Sequence, residues 1–142
     1  MSNVELAIAA IRRAGRWLQG AARAREDGRW DDVVYSSQMG VELSAKAVLI
    51  AFGIDFPREH DVSLVFDPLA RRADIPRWFR DQVPAMSNTI AELAELRGVA
   101  GYGLERGIGV EYFKDYAPEA LEAARNTHAA CLRLLRQLFN VD

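Results

Sequence analysis

The chain has 142 residues, half of them hydrophobic and 27% charged, with a formal net charge of −2. That suits one domain with a real core rather than two, and it excludes a uniformly basic nucleic-acid binder while allowing a local basic patch. Cys131 is the only cysteine, no apolar run approaches the ~20 residues of a membrane span, and the first residues lack a secretory-signal pattern, so the expected setting is the cytoplasm.

From Ser2 to about Arg25 the spacing predicts a helix. Ile8, Ile11, Leu18 and Ala22 share one face, while Arg12, Arg13, Arg16 and Arg23 occupy others. Gly28 stops it within a turn over residues 26–29, and Asp31 or Asp32 can cap a second helix that runs to about Phe52 and ends at Gly53. Ser36, Ser37, Gly40, Ser44, Ala45 and Ala47 make that second helix approachable by a neighbour, from the same chain or from a second subunit. Residues 54–60 contain Pro57 and form a connector. Asp61 is a candidate N-cap for a shorter helix over 62–72.

Pro76 opens a further segment that Pro84 is expected to interrupt, giving a turn at 77–82 and a helix from about Ser87 to Val99. Residues 101–116, GYGLERGIGVEYFKDY, hold four glycines and three tyrosines and read as a long loop, often a functional feature in a compact domain. Pro118 opens the last helix, where Leu121, Ala124, His128, Cys131, Leu135 and Leu138 form one stripe. No strand alternation, repeat or linker competes. The expected fold is all-α: an up-and-down antiparallel bundle of four main helices plus a short extra helix, one domain over residues 1–142.

The residues that carry chemistry narrow the choices. Two histidines 68 residues apart and one cysteine give no metal-ligand spacing, and no phosphate-cradling glycine motif is present, so neither metal nor cofactor is expected. His128 reads as a buried or interface histidine with a hydrogen-bond partner. His60 reads as ordering the connector with Asp61. Glu42 and Lys46, four apart in the favourable order, suggest a solvated surface pair worth about 0.2–0.5 kcal/mol. All but two of the 18 basic residues are arginine, the exceptions being Lys46 and Lys114. Six arginines between residues 12 and 29 face only Glu26 and Asp27, a patch suited to a phosphate backbone and equally to solvent.

Several of these pieces together resemble the HEPN family of small helical domains. Residues 24–62, AREDGRWDDVVYSSQMGVELSAKAVLIAFGIDFPREHDV, are similar to its pattern of an acidic turn, an aromatic (Trp30), Glu42 and Lys46 four apart on a helix, and then Pro57, His60 and Asp61. Residues 96–103, LRGVAGYG, resemble its arginine motif. The resemblance implies a helical bundle that forms a homodimer. It further implies a toxin of a toxin–antitoxin pair that cleaves RNA without a metal and is neutralised by a minimal nucleotidyltransferase partner.

The family motif is Arg, four to six residues, then His, residue types suited to moving a 2′-hydroxyl proton and to stabilising phosphorane charge. Here Arg97 leads through four residues to Tyr102, so tyrosine stands where histidine is expected. An unperturbed tyrosine, with its pKa near 10, is a poor general base at neutral pH, but it can hydrogen-bond, stack on a base or accept a transferred group. Arg97 and Tyr102 are thus the candidate catalytic residues. The same pair with Glu42 and Lys46 forms the candidate nucleic-acid or nucleotide site. The functions left standing are action on RNA as a homodimer, and non-catalytic binding of a nucleotide or of a nucleotidyltransferase-like partner. A purely structural helical dimer, with Arg97 in an ion pair and Tyr102 as a packed loop aromatic, is the third.

Overall fold

Ser2 accepts a hydrogen bond from the Glu5 amide, and the Glu5 carboxylate accepts one from the Ser2 amide, both at 3.1 Å. This reciprocal box satisfies two of the free N–H groups at a helix start and opens α1, Asn3–Glu26. The computed structural model describes residues 1–141 and their side chains, those of Tyr102 and Leu104 excepted. Gly28 turns the chain at a φ of 71°, a conformation open to glycine at little cost. Helix α2, Trp30–Ala51, starts without a side-chain cap. Asp31 and Asp32 lie inside its first turn, where Asp32 pairs with Arg29, so neither is the expected cap.

Immediately after α2 the helical segments are short. The stretch expected as one helix over 62–72 is an α-turn, α3, Ser63–Phe66, which tightens into a 3-10 turn over Asp67–Arg71. Asp61 does serve that start, accepting from the Ser63 amide at 2.9 Å. Helix α4 is the single turn Arg77–Arg80, and α5 spans Val83–Tyr102. Pro84 therefore opens α5 rather than interrupting a segment. In the first turn its missing N–H has no intrahelical partner to lose. Residues 103–106 and 110–113 form 3-10 turns within the expected loop, and α6 runs Ala117–Phe139. The described residues are all-α, with no strand.

α2 is the centre of the bundle, packing on α1, α6 and α5. The small-residue row of α2 meets α1 of the same chain. A Cβ added at Gly40 would fall 2.5 Å from Leu18 Cδ2 and 2.9 Å from its Cγ, so the Leu18 side chain of α1 fills the space that a side chain there would need. The irregular segments are fixed by large plugs: Phe66, Phe79 and Phe113 come from α3, α4 and the 110–113 turn, and all three are buried in the common core. Each such ring contributes about 1.5–3 kcal/mol when buried, which is why these connections are ordered without long helices.

Gly40→Ala is expected to destabilise the fold by about 1–3 kcal/mol, as for other overpacked cores. Urea denaturation should show a lower midpoint at unchanged slope. The double variant Gly40→Ala/Leu18→Ala should cost less than the sum of the two single changes, because the methyl then occupies space that Leu18 has vacated.

Candidate functional site

Seven residues separate Tyr35 from Glu42 on α2, with Gln38 between them at i+3, so all three lie on one side of the helix. Two polar groups are built on this row, about 10 Å apart along the axis at 1.5 Å per residue.

The first group is centred on Arg97 of α5. Its guanidinium lies over the Tyr35 ring, 4.4 Å from the centroid, and Nη2 donates to the Tyr35 hydroxyl at 2.7 Å. Arg97 Nε is buried and has no hydrogen-bond partner among the described residues. Among the described residues no carboxylate lies within ion-pair distance of Arg97, so the ion pair of the purely structural alternative is not formed among them. Tyr35 in turn meets Trp17 of α1, the ring centroids 6.2 Å apart and tilted by 54°. Arg97 is thus held by an aromatic face and a hydroxyl, with no carboxylate partner among the described residues. That is the hydrogen-bonding state of an anion receptor. Sequence reading missed Tyr35. Its only signal was the i, i+7 relation to Glu42, which identifies a face but not what packs on it.

The second group is centred on Glu42. Its side chain is only 7% exposed, so the solvated surface pair expected from the Glu42–Lys46 spacing is in fact largely buried. One carboxylate oxygen accepts from Gln38 Nε2 at 3.0 Å and from His60 Nδ1 at 2.7 Å, and the other accepts from Lys46 Nζ at 2.9 Å. Lys46 also lies 5.3 Å from the centroid of Phe56. Burial pushes the Glu42 carboxyl up. The hydrogen bonds from Gln38, Lys46 and His60 and the charge of Lys46 outweigh that and hold it below its usual range. His60 was expected to order the connector together with Asp61. Instead the two residues separate: Asp61 serves α3, and His60 ties the connector to α2.

The remaining candidates fall elsewhere. His128 donates from Nε2 to the Ile11 carbonyl of α1 at 3.2 Å, a helix-to-helix tie rather than a base beside Arg97. Tyr102 is the last residue of α5, and its side chain lies outside the description. Arg97 and the Glu42–Lys46 pair therefore share a helix face without forming one cluster. Burial pushes the Cys131 thiol far up, leaving it protonated and unreactive in the core. Among the described residues no group of three or more His, Cys, Asp or Glu side chains could hold a metal ion, and no helix is long and apolar enough to cross a membrane.

A helical bundle with this arginine at the end of its penultimate long helix and this Glu–Lys pair on its central one also matches a known sequence pattern: the HEPN domain aligns with residues 8–134. The chain belongs to the HEPN domain family. A curated protein of Methanocaldococcus jannaschii named "Putative toxin" is 30% identical over 145 residues, covering 98% of this HEPN chain and 94% of that relative. No solved structure matches this chain. In this HEPN protein the helix-two pattern has a structural cause. Glu42 is a buried charge that needs its three donors, and Lys46 and His60 are two of them.

Glu42→Gln should therefore cost about 1–3 kcal/mol at neutral pH, as for hydrogen bonds to charged groups. A carboxyl lowered by folding contributes its stability in full above its ordinary value of 4.5 and loses it as pH falls through the native value. In urea titrations from pH 7 to pH 3, the gap between parent and variant should thus close below about pH 4.5. A gap independent of pH would show that the charge of Glu42 contributes nothing.

Proposed function

We propose that this HEPN protein is of the toxin type and acts on RNA as a cytoplasmic homodimer, with Arg97 as the group that meets phosphate. One observation carries the reading. Arg97 sits on Tyr35 with its charge uncompensated and a buried N–H unused, a costly state for a merely structural arginine and a useful one for a group awaiting an anion. The similarity to the Methanocaldococcus jannaschii protein named "Putative toxin" supports the toxin part. Tyr102 would position RNA beside Arg97 or be the residue that a nucleotidyltransferase-like antitoxin modifies. Glu42 and Lys46, bonded to each other, with His60 bonded to Glu42, support α2 and the shape of the site rather than contacting RNA.

A second reading is favoured by a specific feature of the chain, the tyrosine at position 102 where the family motif has histidine. Without that base the protein would bind RNA or a nucleotide and a nucleotidyltransferase-like partner, and cut nothing. The two readings share Arg97 and differ in outcome.

Purified protein incubated with a mixed RNA pool distinguishes them. Under the first reading RNA is cleaved with no added metal, and Arg97→Ala lowers the rate about 10²-fold or more, the usual loss for a group that stabilises transition-state charge. Arg97→Lys should not restore it, because an ammonium cannot both lie flat on Tyr35 and offer a planar fork to phosphate. Under the second reading the RNA stays intact, and Arg97→Ala weakens its binding instead. RNA that is neither cut nor bound would sink both.

A further inference from the structure

The side of the bundle from which a polyanion can reach Arg97 is set by charge. Two recesses flank the outer face of α5, and Glu92 and Glu95 line both. Glu119 adds a third carboxylate to one and Asp61 to the other, and no arginine or lysine lines either. RNA approaching along that face meets only like charge.

The α1/α2 side is the opposite. A groove of about 600 Å³ runs between these helices, walled on α1 by Arg13, Arg16 and Trp17 and on α2 by Met39 and Leu43. Arg13 and Arg16 are exposed, and among the described residues neither has a carboxylate within ion-pair distance. They stand three apart on α1, with Trp17 next to Arg16, so guanidinium groups and an indole share one wall. At the α1–α2 turn the groove passes Arg29 and its ion-pair partner Asp32, and the same two residues, with Asp31, begin a second recess of about 510 Å³ that continues over Tyr35 to Ala100; Arg97 lines neither recess and is reached through Tyr35. The aromatic contacts follow the same course: Trp17 meets Tyr35, and Tyr35 carries Arg97.

We propose that this continuous path is a track for single-stranded RNA. A base stacks on Trp17, Arg13 and Arg16 take the flanking phosphates, and the strand passes Tyr35 to bring a phosphate to Arg97. From Asp32 to Leu43 the α2 wall is about 16 Å long at 1.5 Å per residue. The strand must be single because a paired base has no free face for Trp17. The proposal rests on the RNA reading of Arg97 and adds to it where the strand lies and which form of RNA is taken.

The test uses the full chain and a fluorescein-labelled ten-nucleotide RNA, single-stranded and as its duplex, followed by anisotropy across a salt series. The parent should prefer the single strand. Trp17→Ala should weaken its binding about 5- to 100-fold, the range for losing one base–aromatic stack, and Trp17→Phe should recover most of it. Arg13→Gln/Arg16→Gln should lower the slope of log affinity against log salt by about 1.4, two single-strand phosphates at 0.7 each. Both arginines are exposed, so unchanged urea midpoints would show that this pair of changes leaves folding intact. If these variants bind like the parent while Arg97→Ala does not, the track is wrong and the role of Arg97 stands. Equal or tighter binding of the duplex also overturns the track. If no RNA binds at all, the track and the RNA reading fall together.

Discussion

The contact between Gly40 and Leu18 is the constraint on which the rest of the molecule depends. Because α2 carries no side chain at that position, α1 can lie close along it, and the two form a tight hairpin about the Gly28 turn. Everything functional then follows from that spacing. Trp17, next to Leu18 on α1, meets Tyr35 across the same helix pair, and Tyr35 in turn holds Arg97 of a third helix. A glycine chosen for packing thus sets the position of the charge proposed to meet phosphate.

The two polar groups on α2 handle buried charge in opposite ways. Glu42 is fully answered, with three donors on its two oxygens, and its chemistry is spent on holding the connector and the helix together. Arg97 is only partly answered, by an aromatic face and a hydroxyl that cannot neutralise it. Satisfied networks make a fold rigid, whereas a partly satisfied one is where a ligand gains most. The same contrast recurs at larger scale. Carboxylates line the outer face of α5 and arginines line the α1/α2 groove, so the molecule is polarised despite its nearly neutral net charge.

The tyrosine at position 102 gains meaning in this setting. An arginine held on Tyr35 keeps its use as an anion receptor whether or not a histidine follows it, so loss of the base need not remove binding. This separates two properties that the family motif joins, recognition of phosphate and movement of a proton. The described side chains hold the group proposed for the first, Arg97 on Tyr35.

Much of this was legible in the sequence, because it rests on local rules. Apolar spacing predicted the four long helices, Gly28 and Gly53 their turns, and the family pattern pointed to Arg97, Glu42 and Lys46. The errors were local rules met by competing ones. Pro84 was read as a breaker although at a helix start it costs nothing, and Glu42–Lys46 was read as solvated because i, i+4 spacing says nothing about what covers a pair. By itself, then, the sequence determined an all-α bundle, its turns and the identity of its charged candidates, since periodicity and capping act within a few residues. The tertiary structure alone decided that Tyr35 carries Arg97 and that His60 answers Glu42. It also decided that the arginines of α1 open toward the same path, because these are contacts between distant segments, set by which helix faces pack together.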